Sequence, residues 1–195
     1  MIYVISTHSN IMTYIHLPLQ SGSDRILKLM GRRYTKEEYL KLFDKIKQEI
    51  KNVAVTTDII VGFPNETDED FKETLDVVDK CKYDGAYTFI YSPRVGTPAA
   101  VMKDQVDEKI KADRLKELNE HINKYSLESN QKYLNKECKV LIDGKSEKGN
   151  NKVCGYTETM KLVNVTGSED LIGKVVRVKI KEAKSFSLDG EYIEL

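Results

Sequence analysis

Three stretches of the chain gather glycine, proline and short polar side chains in a way that could hold a small polar ligand: Leu19 to Asp24, Gly62 to Thr67, and Ser92 to Ala99. Each follows a run that reads as a β-strand. In a parallel α/β sheet, ligands collect outside the C-terminal strand ends, where loops converge and helix N-termini present free N–H groups. Taken singly, each loop also reads as a plain connector, because Gly and Ser are ordinary turn and cap residues. Arg94 adds a guanidinium able to grip a carboxylate or phosphate through two parallel contacts, or simply to tether its own Pro-rich loop. Asp58 lies inside a strand, where it serves a ligand or accepts from neighbouring backbone N–H groups. His16 sits within an apolar run and reads as a satisfied core histidine.

Metal chemistry finds little support. The three cysteines, Cys81, Cys138 and Cys154, are widely spaced and form no C-x-x-C unit. They suit neither a secreted disulfide framework nor a metal site, and each reads as a small buried hydrophobe. The net charge is zero, so a polyanion would have to be met by local cations. Two such groups stand out. Arg32 and Arg33 precede a helix start. Arg177, Lys179 and Lys181 alternate with Val176, Val178 and Ile180, so a period of two sets the cations on one strand face and the apolar residues in a core. That face fits RNA backbone contact and equally a solvated surface. Phe186, Tyr156 and Tyr192 either stack bases or pack the core.

The elements that must position these groups fall into two sets. The first two-thirds alternates β-rich and amphipathic runs, which predicts β/α units on a parallel sheet. Expected strands are Tyr14 to Leu19, Val53 to Val61, read as buried on both faces, and Gly85 to Tyr91. Thr35 with Glu38 predicts a capping box ahead of Tyr39, Phe43, Ile46 and Ile50 at helical spacing. Thr67 caps a second helix with an acidic first turn and a stripe of Phe71, Leu75, Val78 and Cys81. A long helix is expected from about Asp107 to Tyr133, with Ile110, Leu115, Leu118, Ile122 and Tyr125 inward. After it, five short strand-like runs predict a small closed β-barrel: Cys138 to Asp143, Lys152 to Thr157, Lys161 to Val165, Lys174 to Ile180 and Tyr192 to Leu195. With 40% apolar and 32% charged residues the composition is that of a globular protein, and neither a signal peptide nor a membrane span is read, so a cytoplasmic location without a membrane partner is expected.

At the three loops the sequence resembles a known family. His16-Leu17-Pro18-Leu19-Gln20-Ser21-Gly22-Ser23-Asp24 followed by Leu29-Met30-Gly31-Arg32-Arg33-Tyr34-Thr35, then Thr56-Thr57-Asp58-Ile59-Ile60-Val61-Gly62-Phe63-Pro64 with Glu66-Thr67, then Tyr91-Ser92-Pro93-Arg94 with Gly96-Thr97-Pro98-Ala99, are similar to the strand-end motifs of the radical S-adenosylmethionine (SAM) methylthiotransferases that act on tRNA. The stretch from about Glu128 is similar to the TRAM domain, a small RNA-binding barrel. The resemblance implies an α/β fold: the C-terminal part of a radical SAM barrel over residues 1–127, then an OB-like TRAM barrel over 128–195.

The resemblance further implies SAM as cofactor. Gln20, Ser21, Gly22 and Ser23 would lie near its ribose and amino-acid moiety, Thr57, Asp58, Ile60, Gly62 and Phe63 near its adenine, and Arg94 would be the cation of the site. The family's 4Fe-4S clusters are held elsewhere, since the C-x-x-x-C-x-x-C loop is absent from this sequence, and the chain alone is expected to be inactive. The activity implied is methylthiolation of isopentenylated adenosine next to the anticodon, with the tRNA anticodon stem-loop as partner and Arg32, Arg33, Arg177, Lys179 and Lys181 as RNA contacts. A methylthiotransferase for threonylcarbamoyl-adenosine or for a ribosomal protein, and a non-catalytic RNA-binding module, remain open. Because only about half of a barrel is expected, self-association, or pairing with a missing N-terminal half, is expected as well.

Overall fold

The structure, a computed structural model, describes residues 1–149 and 151–193. A short helix, α1 (Ile2–Thr7), lays Ile2 and Ile5 against the core. The sheet that follows has the order β1 (Tyr14–His16), β2 (Ala54–Val61), β3 (Gly85–Ile90), all parallel. The connections carry α2 (Asp24–Leu29) and α3 (Lys36–Glu49) between β1 and β2, and α4 (Asp68–Cys81) between β2 and β3. A 3-10 turn, Pro98–Val101, leads to α5 (Glu108–Gln131), whose N-cap Asp107 accepts from the Lys109 N–H.

Local sequence explains the helices well. Thr35 and Glu38 form the expected reciprocal capping box, and Thr67 forms another with Asp70. Tyr39, Phe43 and Ile46 from α3, Phe71, Leu75 and Val78 from α4, and Leu118, Ile122 and Tyr125 from α5 converge on Val55, Ile59 and Val61 of β2. Ile110, expected in that stripe, is 44% exposed at the start of α5.

Two expectations about the sheet need correction. The first strand is three residues long, because Pro18 has no N–H to give and Gln20 adopts φ 65°. A single bridge from Gln20 to Ile59 resumes the pairing. Nor is β2 buried on both faces. The helices cover one face only, so Val55, Thr57, Ile59 and Val61 are buried while Thr56, Asp58 and Ile60 are half-exposed on the other. The same open face carries Tyr87 and Phe89 of β3, at 61% and 50% exposure. His16 is there too and is not a core histidine.

The second set of strands closes into a barrel of order β4 (Glu137–Lys145), β5 (Lys152–Thr157), β6 (Leu162–Thr166), β8 (Leu188–Ile193), β7 (Val175–Ala183). All pairs are antiparallel except β6 with β8, the arrangement of an OB-like barrel. Val140, Ile142, Val163, Val165, Val178 and Ile180 fill its interior. The final strand starts at Leu188, ahead of the expected Tyr192; Glu194 and Leu195 lie outside the described residues. Helix α5 runs unbroken across position 127, and its last turns hold the barrel: Asn130 Nδ2 donates to the Lys184 carbonyl (2.6 Å) and Ser126 Oγ to that of Ser185 (2.6 Å).

Candidate functional site

The three polar loops do converge at the C-terminal end of the sheet, where they border a cavity of about 790 Å³. Of the residues singled out for a cofactor, Gln20, Asp58, Ile60, Phe63 and Arg94 line it, joined by Arg32. Gln20 is positioned by backbone pairing on both sides. Its N–H donates to the Asp58 carbonyl (2.8 Å) and its carbonyl accepts from the Ile60 N–H (2.9 Å). Its side-chain Oε1 accepts from Arg32 Nη2 at 3.0 Å, so Arg32 is a wall of this pocket. Arg94 is exposed, and Phe63 packs edge-on against Tyr91 with centroids 5.0 Å apart.

Ser21, Gly22, Ser23, Thr57 and Gly62 are placed differently. Ser21 and Ser23 are 1% exposed and turn toward α4; Ser23 Oγ donates to Asp70 Oδ1 at 2.6 Å. Gly22 passes so close to α4 that a Cβ would stand 2.5 Å from the Glu73 carbonyl oxygen and 2.6 Å from Thr74 Cα. Thr57 points to the helix side, where its Oγ1 accepts from the Leu19 N–H (2.8 Å). These four hold the first loop in place and do not line the cavity. Gly62 adopts φ +71° in the second loop, where a side chain would strike Lys111 Cγ.

Around that glycine the structure adds residues the sequence reading did not single out. Glu66 is 6% exposed; its Oε1 accepts from the Gly62 N–H (2.8 Å) and from Arg114 Nη1 (2.8 Å), while Arg114 Nη2 reaches Asp68 at 2.7 Å. Burial pushes the Glu66 carboxyl above its ordinary range, opposed by the Gly62 N–H and the Arg114 charge. The clamp fixes the turn that carries Phe63 into the pocket. Asp70 does the same for the first loop. Burial disfavours its charge, but hydrogen bonds from Arg25, Ser23 and Thr67 prevail and hold it at about 2.

On the open sheet face, next to the cavity, His16 Nε2 stands 3.3 Å from Asp58 Oδ2, and Thr56 Oγ1 lies 3.0 Å from His16 Nδ1 and 2.7 Å from the Tyr14 hydroxyl. In the barrel, Arg177, Lys179 and Lys181 project outward from β7. Lys139 faces Arg177 across the ladder, whereas Glu137 and Glu191 flank Lys179, and Lys181 pairs with Glu191 at 2.9 Å. The cationic strip is therefore partly neutralised. Arg33 is exposed. Phe186, Tyr156 and Tyr192 are 77%, 36% and 37% exposed, so none of the three is a core residue. Cys81 is buried but Cys138 and Cys154 are only half-buried. No helix among the described residues is long and apolar enough to cross a membrane.

Residues 7–78 match the family model of the Radical SAM superfamily and residues 131–193 that of the TRAM domain. Curated relatives include proteins named tRNA-2-methylthio-N(6)-dimethylallyladenosine synthase from Alkaliphilus oremlandii, 52% identical over 100% of this chain and 41% of the relative, from Clostridium tetani, 54% identical over 98% and 42%, and from Bacillus subtilis, 51% identical over 99% and 38%. The chain thus spans about two fifths of the length of these relatives. A radical SAM segment followed by a TRAM domain, with similarity to such relatives along its whole length, is what this chain shares with known proteins.

Proposed function

We propose that this chain binds SAM at the C-terminal ends of β1–β3 and serves the methylthiolation of isopentenylated adenosine beside the anticodon of tRNA. The observation that carries this reading is a coincidence of two facts. The similarity to the synthases runs the length of the chain, and the polar loops it includes enclose a cavity of about 790 Å³, inside the roughly 300–1,000 Å³ range of small-molecule sites.

The residues present fit SAM. Arg94 supplies a cation for the amino-acid carboxylate, Gln20 an amide for the polar end of the ligand, and Asp58 an acceptor in the same lining as the apolar Ile60 and Phe63, which suits adenine. Ser21, Gly22, Ser23, Thr57 and Gly62 act on the ligand through the loops they hold. Together with a reduced iron-sulfur cluster, bound SAM supplies the radical and methyl chemistry of the superfamily. A cluster does not fit the described residues. No three His, Cys, Asp or Glu side chains among them converge as metal ligands, and burial pushes the Cys81 and Cys138 thiols up to about 11, away from the thiolate a metal needs. On this reading the cluster ligands belong to the part of the longer relatives that this chain does not span.

The RNA side of the reading rests on the outward Arg177, Lys179 and Lys181 of the TRAM barrel and on exposed Arg33, with an anticodon stem-loop as the partner. Calorimetric titration of SAM into the chain, beside Arg94→Ala and Asp58→Ala, tests the cofactor half. Binding that both changes weaken by about tenfold or more is expected; binding indifferent to both places SAM elsewhere and removes the basis of the assignment.

A further inference from the structure

A second cavity, of about 190 Å³, lies at the opposite end of the sheet, between the N-terminal end of β3 and the TRAM barrel. It is below the roughly 300 Å³ at which drug-sized sites begin, so its natural occupant is a single ring system. Its walls come from both domains. Tyr87 of the open sheet face and Ile122 of α5 form one side; Met160, Lys161, Leu162 and Phe186 of the barrel form the other.

Phe186 is the unusual member. It lies on the four-residue loop between β7 and β8 and is 77% exposed, so packing gives no reason for a phenyl ring there. Yet the loop is not loose. The Lys184 N–H donates to the Ser187 carbonyl (2.9 Å), and three hydrogen bonds from α5 grip the loop's outward carbonyls: Asn130 Nδ2 to Lys184 (2.6 Å) and Ser185 (3.3 Å), and Ser126 Oγ to Ser185 (2.6 Å). An aromatic ring with no core role is thus held in a fixed place beside a ring-sized hollow. Tyr87, also 61% exposed, borders the same hollow from the other domain. Lys161 also lines the hollow, its ammonium donating to the Asp84 carbonyl at 3.0 Å.

The geometry points to this cleft as a subsite for one unstacked nucleobase of an RNA, held between Phe186 and Tyr87, at a position distinct from the cofactor pocket. Two rings from separate bodies can flank a base's π-face, which is how single-stranded nucleotides are gripped without duplex contacts. The inference rests on the RNA reading above for the class of ligand, but its residues belong to neither the cofactor pocket nor the cationic strip of β7.

The test uses the whole chain and two fluorescein-labelled probes, hexa-adenylate RNA and an abasic hexamer of the same backbone, followed by anisotropy. Since stacking on one aromatic ring changes affinity by about tenfold, the wild type should prefer hexa-adenylate by about that factor. Phe186→Ala and Tyr87→Ala should each abolish the preference and Phe186→Trp restore it; both rings are exposed, so folding is not at stake. Equal affinity for the two probes, or a preference that survives both alanine changes, overturns the subsite. So does absence of hexa-adenylate binding, including the case where Phe186→Ala instead dissolves a dimer and the cleft is an interface between copies. If hexa-adenylate behaves as expected while an isopentenylated anticodon stem-loop is not bound, the tRNA reading falls and the subsite stands.

Discussion

The Asp84 carboxylate and the Lys161 ammonium stand 3.6 Å apart at the junction of the two domains, and Lys161 also donates to the Asp84 carbonyl at 3.0 Å, across 77 positions of sequence. Asp84 is a hub there. It accepts from the Val55 N–H (2.8 Å) and from Ser129, and meets Lys47 at 3.3 Å. Burial disfavours its charge, but Lys161 and Lys47, with the hydrogen bonds from Ser129 and the Val55 N–H, together hold the carboxyl below the ordinary range. Lys161, 8% exposed, has no other acidic partner among the described residues.

Removing Asp84 should therefore strand a buried cation. Asp84→Ala is expected to cost about 3–5 kcal/mol and to split unfolding into separate steps for sheet and barrel. Differential scanning calorimetry shows this as two transitions where the wild type has one. The double change Asp84→Asn with Lys161→Met should recover much of the loss.

Gly22→Ala should destabilise the sheet domain by about 1–3 kcal/mol through overpacking. The added methyl meets the backbone of α4, which cannot step aside as a flexible side chain would. A urea titration should show a lower midpoint with an unchanged slope, and Gly31→Ala, with open space around it but φ +72°, should cost less.

Acid should weaken the first loop through Asp70. Its carboxyl is held at about 2, below the roughly 3.9 of an unfolded chain, so the stability it contributes is full above pH ~4 and is lost as pH falls toward 2. The loss amounts to about 2 kcal/mol. Asp70→Asn should lack this component, and stability measured at pH 4 and pH 2 in both proteins compares them directly.

The open sheet face, with Tyr87 and Phe89 half or more exposed and β1 paired on one side only, should associate with a second surface. Sedimentation of the chain is expected to show concentration-dependent self-association, which Phe89→Lys should suppress.

Much of the fold could be read because its signals are local. Thr35 with Glu38, Thr67 and Asp107 mark helix starts within one turn, and the period-two alternation of Arg177, Lys179 and Lys181 gives the correct faces of β7. What could not be read depends on partners distant in sequence. The hydroxyls of Ser21 and Ser23 suit a ligand on paper, but α4, some fifty positions on, takes them up; |i−j| is 47 for Ser23 with Asp70. Thr57 and Asp58 are adjacent and equally polar, and only the position of the helices decides which faces the cavity. The start of β8 is hidden because Asp189 and Gly190 are residue types that favour turns over strands. Gly190 is needed there for a different reason, since a Cβ would stand 2.5 Å from Val178 Cγ1. Glu66 offered one missed signal: an acid set just before a helix cap and just after a Gly-Phe-Pro turn, free to bend back onto the Gly62 N–H.

The ring order of the barrel sets a timetable for synthesis. Because β8 is inserted between β6 and β7, the strands that emerge earlier from the ribosome leave a gap that nothing but residues 188–193 can fill. Until then β6 and β7 each keep an open flank, and Ser126 and Asn130 of α5, made sixty or so positions earlier, wait for a hairpin that has not yet turned. The strands of the sheet can pair before β8 is made, while the barrel is completed only once residues 188–193 have emerged.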